Sequence, residues 1–69
     1  MQVSARNSLK GIVKAVTLGA VNAEVSIEVA PGVSVIAIIT KSSAESLDIA
    51  EGKEVYAVIK SSDVMIGVD

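Results

Sequence analysis

The chain has 69 residues, 51% of them hydrophobic, and a net charge of −2. It contains no cysteine and no histidine, which excludes disulfides and argues against a zinc site as the support for so small a core. Its acidic balance and its single aromatic residue, Tyr56, argue against a nucleic-acid partner, which needs a basic surface or stacking platforms. We therefore expect one domain, residues 1–69, whose surplus apolar surface is covered by further copies of the chain.

A membrane location is also disfavoured. The longest uninterrupted apolar run, residues 35–39, is far shorter than the roughly 20 residues of a spanning helix. The N-terminus is polar, and its first basic residues are not followed by the apolar segment of a signal peptide. These features predict a cytoplasmic protein without a membrane partner.

The first part of the chain predicts an antiparallel hairpin. Residues 9–18 are rich in β-branched side chains and end at Gly19, which is typical of a strand. Gly11 within this strand indicates a bend or a close backbone approach, as at a barrel corner. Residues 21–29 alternate between apolar and polar side chains, so one face is buried and the other is wet. The predicted inward residues are Val21, Ala23, Val25, Ile27 and Val29.

Three further strands are predicted in the rest of the chain. The first, residues 33–39, follows the turn signal Ala30-Pro31-Gly32. Both of its faces are largely apolar, so we expect a neighbouring subunit to cover the outer one. Residues 54–59 alternate again, and residues 64–68 form a final strand beyond the interruption at residues 60–63.

One short helix is predicted over residues 40–48. Ser42-Ser43-Ala44-Glu45 has the spacing of a capping box, which marks a helix start. The hydroxyls of Thr40, Ser42 and Ser43 then lie at a helix N-terminus, where they either hold an anion or only cap the helix. Five strands with a helix between the third and fourth are the order expected of an all-β, five-stranded OB-like barrel.

The residues that carry enzyme chemistry are largely missing. There is no histidine for general base catalysis and no cysteine nucleophile, and Lys60 followed by Ser61 is weak evidence for a Ser–Lys pair. The carboxylates fall on the wet strand face, the helix or the turn, as solvated surface charges do. The glycines show no phosphate-loop spacing. The sequence predicts a binding protein, not an enzyme, and no directly coordinated metal.

Hydrogen-bond donors are concentrated at the start of the chain. Ser4-Ala5-Arg6-Asn7 places a hydroxyl, a guanidinium and an amide within four residues. Donors that converge on a small volume indicate an acceptor-only guest, and an oxyanion fits that description. Lys60 either is a solvated charge or joins Arg6 in neutralising a dianion, with Ser61 beside it.

Taken together, these segments resemble the molbindins, small molybdate-binding proteins built on a single TOBE/Mop-like domain. The resemblance runs the whole length of the chain and shows no departure at a site position. The motifs that carry it are residues 4–7 with 9–11, residues 19–25, residues 39–43, residues 52–55 and residues 59–62. In this order and spacing they are specific to the family.

The resemblance implies a strand-exchanged oligomer, a hexamer arranged as a trimer of dimers, with molybdate held between subunits by hydrogen bonds. Thr40 and Ser43 are expected to approach the ion from another subunit, and the turn before Asn22 is a candidate for a second class of site. The remaining residues implied at the main site are Ser4, Arg6, Asn7, Lys60 and Ser61.

The implied function is storage or buffering of molybdate in the cytoplasm, and tungstate is expected to bind because its size and charge are close. A regulatory or transporter-associated sensing domain is the alternative, and an OB-type nucleic-acid-binding module is a weaker one. The chain begins with its own Met1, which favours a free-standing protein over a fused domain.

Overall fold

The computed structural model describes all residues, 1–69, as a four-stranded antiparallel sheet with one α-helix. Neighbouring strands follow the order β3-β2-β1-β4. No helix has the length and apolar character needed to cross a membrane. In chain order the elements are β1 (Asn7–Leu18), β2 (Asn22–Ala30), β3 (Val33–Thr40), α1 (Lys41–Ser46), β4 (Glu54–Ile59) and a 3-10 turn (Ser61–Asp63).

The long strand β1 curls the sheet because its two halves pair with different neighbours. Residues 7–12 pair with β4, and residues 12–18 pair with β2. The strand bends next to Gly11, where an added Cβ would lie 2.6 Å from the carbonyl oxygen of Glu28 and 2.7 Å from Cγ2 of Ile27. The predicted close backbone approach at Gly11 is therefore confirmed, and it makes this end of the sheet a corner.

A bulge changes the facing of side chains along β1. The register with β2 shifts between Val13 and Ala15, so that Lys14 is the extra residue. Val13 is fully buried and Val16 packs against the same cluster, although the two are three positions apart. Strict alternation placed these two valines on opposite faces, and the bulge is the physical reason why they share one.

The interior of the single chain is small. Only 7 of its 69 residues are buried, and the central cluster consists of Val13, Val25, Ile27 and Ala57. Ala23 is buried as well, which confirms the inward facing predicted for the middle of β2, whereas Val21 is 71% exposed. Large apolar side chains thus remain at the surface of the single chain.

The fifth predicted strand, residues 64–68, is not part of the sheet. This segment is irregular, and its apolar side chains are exposed, from 50% at Val64 to 92% at Val68. A strand needs a partner for its backbone groups, and this segment has none within the chain. Strands β3 and β4 each pair on one side only, so the barrel is open between them.

Helix α1 packs on β2 and β3 through the buried Ala44. It begins at Lys41, two residues earlier than the predicted capping box implies, because Thr40 and not Ser42 is the N-cap residue. Its C-terminal end is followed by Asp48 in a left-handed conformation (φ 53°), and the Lys53 ammonium donates to the carbonyl of Leu47.

Candidate functional site

The N-terminal motif meets the end of β4 at one corner of the sheet. Asn7 begins β1 and pairs with Ile59, the last residue of β4. The Asn7 side-chain amide Nδ2 also donates to the Ile59 carbonyl oxygen, at 3.3 Å. Arg6 and Lys60 directly follow this last pair on the two antiparallel strands, so they come into neighbouring positions at the same corner. The structure thus brings together the two segments that the sequence predicted to share a site.

Two hydroxyls belong to the same corner. Ser4 is exposed and lies just before β1, and Ser61 is the first residue of the 3-10 turn that follows Lys60. Neither hydroxyl donates to another protein group in the structure. Both hydroxyls are therefore free to donate a hydrogen bond. We refer to residues 4–7 with residues 60 and 61 as the β1–β4 corner.

Two of the basic residues that have no partner within the chain lie at the corner. Among the six basic residues, Lys10 lies 3.1 Å from a carboxylate oxygen of Glu54, Lys14 lies 3.8 Å from one of Glu28, and Lys53 donates to Leu47. The hydrogen bond and the attraction of Glu54 raise the pKa of Lys10 above its usual value. The basic residues without an ion pair or hydrogen bond are Arg6, Lys41 and Lys60.

The helix residues predicted for the site lie elsewhere. Thr40 ends β3 and pairs with Asn22, the first residue of β2. The start of β2 pairs with the Leu18 end of β1, whereas Asn7 lies at the other end of that strand. In the pairing of the strands, Thr40 and Ser43 thus belong to the opposite end of β1 from the β1–β4 corner.

The hydroxyls at the start of α1 bond to one another. Thr40 Oγ1 accepts from the backbone N–H of Ser43 at 3.1 Å and donates to Ser43 Oγ at 2.7 Å. It also lies 3.3 Å from Ser42 Oγ. The Thr40 proton is therefore committed to the cap, while the Ser43 proton is free to point outward.

Lys41 lies beside these hydroxyls and was not among the predicted site residues. It is the first residue of α1, it is half-buried, and its ammonium has no ion pair or hydrogen bond. It stands between Thr40 and Ser43, so any anion held by those hydroxyls lies within reach of a cation. The sequence feature that indicates it is a lysine within a run of hydroxyl residues, at positions 40–43.

Comparison with known proteins places this corner in context. The TOBE domain family model matches residues 3–66. The chain therefore belongs to the TOBE-domain family, and the resemblance inferred from its motifs is confirmed.

Several proteins of about the same length match nearly the whole chain. Molybdenum-pterin-binding protein 3 of Clostridium pasteurianum is 56% identical over 66 residues, which cover 96% of this chain and 97% of that protein. The apo structure of MopII from Clostridium pasteurianum matches with a TM-score of 0.91 and 48% identity, over 97% of this chain and 100% of that one. A molybdate-binding protein from Sporomusa ovata matches with a TM-score of 0.91 and 31% identity, over 99% and 100%.

Proposed function

We propose that the chain binds molybdate at the β1–β4 corner and stores or buffers it in the cytoplasm, without catalysis. The observation that carries the proposal is the Asn7–Ile59 pair, which joins two distant segments and leaves Arg6 and Lys60 together without partners. The relatives named above are molybdenum-pterin-binding and molybdate-binding proteins, and their folds match over nearly the whole chain.

The chemistry of the corner suits a tetrahedral dianion. Molybdate carries two negative charges and only accepts hydrogen bonds, so Arg6 and Lys60 neutralise it while the hydroxyls of Ser4 and Ser61 donate. Each hydrogen bond to a charged group contributes roughly 1.5 to 3 kcal/mol, and five or six of them hold a small ion firmly. Tungstate, of similar size and charge, binds comparably, and the smaller sulfate binds less well.

The site is completed by a neighbouring subunit. Thr40 and Ser43 lie at the far end of β1 from the corner, so they reach an ion there only from another copy of the chain. Ser43 offers a free proton and Lys41 a free charge to that shared site. In this arrangement binding depends on assembly.

The open side of the barrel supports assembly by strand exchange. An apolar groove of about 670 Å³ lies between β3 and β4, and 15 of the 16 residues that line it are hydrophobic. Residues 64–68 are apolar, exposed and unpaired, as a fifth strand given to a partner would be. We place this segment of one chain in the groove of the next, within a hexamer built as a trimer of dimers.

Calorimetry combined with light scattering tests the function. The purified protein is titrated with molybdate, tungstate, sulfate and phosphate, and the mass of the particle is measured in the same buffer. We expect tight binding of molybdate and tungstate, weaker binding of sulfate, and a mass near six times the 7.0 kDa chain. The absence of heat with every oxyanion would contradict the proposal.

A substitution in the C-terminal segment tests the strand exchange separately. Ile66, 88% exposed in the single chain, would be buried in the groove of a partner. Ile66→Asp places a charge there, so we expect the particle mass to fall toward that of the monomer. Asp69→Ala, directly after the segment and without an apolar loss, is the control. A full-sized Ile66→Asp particle would rule out burial of this segment.

A further inference from the structure

The side chain of Asn7 is used differently from the other polar groups of the corner. It is half-buried, and its amide nitrogen is occupied by the carbonyl oxygen of Ile59, 52 residues away. Every other side-chain hydrogen bond in the structure, ion pairs aside, joins residues no more than 6 positions apart. The Asn7 bond is thus a cross-link between distant parts of the chain.

This cross-link lies where the pairing of β1 with β4 ends. The ladder runs from Ile12 to Asn7 on β1, and the last pair is Asn7 with Ile59. Arg6 and Lys60 come next, with no further ladder bond to hold them and with charges of the same sign. The last pairs of a ladder fray most readily, and repulsion between two cations promotes fraying in the absence of an anion.

We propose that Asn7 is a positioning residue, which holds the Arg6 and Lys60 segments together so that one dianion meets both cations. Its amide fixes the carbonyl of Ile59, and this carbonyl belongs to the peptide unit that leads into Lys60. Asn7 then contributes to affinity through the two cations and not by touching the ion, in contrast to its predicted role as a direct ligand. The inference depends on the proposed oxyanion site.

The expected size of the effect follows from the loss of one hydrogen bond. Asn7→Ala should weaken molybdate binding by about tenfold, the equivalent of about 1.4 kcal/mol. Ser8→Ala is the matched control, because Ser8 is the next residue of the same strand, is exposed and makes no side-chain hydrogen bond. That control should bind as the unchanged protein does.

A double-mutant cycle with Lys60→Gln separates positioning from direct contact. If Asn7 acts through Lys60, Asn7→Ala costs about tenfold alone but less than about twofold when Lys60 is already replaced. If Asn7 touches the ion or only supports the fold, the loss is the same in both backgrounds, and the inference is overturned. An Asn7→Ala protein that binds molybdate as tightly as the unchanged protein would overturn it as well.

Hydrogen exchange of the ligand-free protein tests the Asn7–Ile59 cross-link without any oxyanion. The backbone amide of Ile59, which belongs to the last pair of the ladder, should exchange several-fold faster in Asn7→Ala than in Ser8→Ala, while the amides of β2 stay unchanged. Equal exchange in the two variants would overturn the inference. If the unchanged protein bound no oxyanion, the proposed function would be refuted, and hydrogen exchange alone would decide whether Asn7 holds the two segments together. Hydrogen exchange would also decide this if Lys60→Gln bound molybdate too weakly to measure.

Discussion

At the scale of single residues, the basic side chains fall into two groups: those with a partner in the chain and those without an ion pair or hydrogen bond. Lys10 and Lys14 are held by carboxylates on neighbouring strands, and Lys53 holds the end of α1. Arg6, Lys41 and Lys60 hold nothing within the chain. An acidic protein can therefore still attract an anion locally, because its free cations are concentrated at two places on the sheet.

Removal of either cation from the β1–β4 corner should weaken binding strongly. Arg6→Ala or Lys60→Ala removes a charge-assisted hydrogen bond of about 1.5 to 3 kcal/mol, so molybdate affinity should fall by about ten- to a hundredfold or more. Both residues are exposed and outside the buried cluster, so the midpoint of thermal unfolding without ligand should stay nearly unchanged. Titration calorimetry of the variants measures the loss.

The control for these two variants is Lys14→Ala, which removes a lysine paired with Glu28 far from the corner. Its molybdate affinity should match that of the unchanged protein. If Arg6→Ala and Lys60→Ala both bound as tightly as this control, the corner would not be the site.

Lys41 tests whether the start of α1 contributes to the same ion. Lys41→Met keeps much of the side-chain length and removes the charge, so molybdate affinity should fall by about tenfold through the loss of an interaction between charges. Lys14→Met provides a comparison at a paired lysine. Equal affinity of the two variants would mean that only the β1–β4 corner binds the ion.

At the scale of elements, the curl of β1 depends on a position that has no room for a side chain. Gly11→Ala would place a Cβ 2.6 Å from the Glu28 carbonyl oxygen, so one of the two strands must move. Such overpacking typically costs about 1 to 3 kcal/mol, which we expect as a loss in the free energy of unfolding in urea. Ser8→Ala is the control, since Ser8 is an exposed residue of the same strand and makes no side-chain hydrogen bond. Equal stability of the two variants would show that β1 does not need this close approach.

The end of α1 should be open to improvement. Asp48 has φ 53°, a conformation that asparagine adopts more readily, and its negative charge lies at the C-terminal end of a helix, where it is unfavourable. Asp48→Asn should therefore raise the free energy of unfolding by about 0.5 kcal/mol. Urea unfolding beside Glu51→Gln, which removes a charge but changes no left-handed residue, checks this. A gain of the same size in Glu51→Gln would assign the effect to net charge alone.

The sequence predicted those elements whose pattern depends on neighbours in the chain. The middle of β2, the tight approach at Gly11 and the position of the helix followed from alternation, from the missing side chain and from hydroxyl spacing. The bulge at Lys14 did not follow, because an extra residue is fixed by the register with β2 and leaves no mark in composition. The choice of Thr40 over Ser42 as the cap depends in the same way on where β3 stops pairing.

In the candidate site, too, the features set by neighbours in the chain were predictable and those set by strand pairing were not. The β1–β4 corner was predictable because its donors stand next to one another in two short motifs. The separation of Thr40 and Ser43 from that corner was not, since it depends on which strand ends the sheet brings together. Residues 64–68 carry the pattern of a strand but have no partner in their own chain, and no local pattern shows where a partner lies.

At the scale of the whole molecule, the small interior and the open groove connect binding to assembly. With 7 of 69 residues buried, a single chain has little core of its own, so we expect contacts between copies in the proposed oligomer to supply much of the stability. An ion bound between subunits favours the assembled form over separated chains by mass action.

Molybdate should therefore stabilise the oligomer in a way that depends on its concentration. At a free concentration about 100 times Kd the gain is about 2.7 kcal/mol for each independent site, and dissociation on dilution should be suppressed. Thermal unfolding and light scattering at several molybdate concentrations measure both effects, with sulfate as the control anion. Stabilisation of Arg6→Ala equal to that of the unchanged protein would show that the ion acts elsewhere.

The order in which strands meet along the chain has a consequence for biosynthesis. Strands β1, β2 and β3 are joined by short turns, whereas β4 reaches β1 only after a long loop has been closed, since Asn7 and Ile59 are 52 positions apart in the sequence. Closing the longer loop costs more chain entropy, so we expect the meander to form early and β4 to join it late. The β1–β4 corner comes into being only with that last step. A chain that is still folding should then lack the corner, so an oxyanion bound there as proposed would stabilise only chains whose folding is complete.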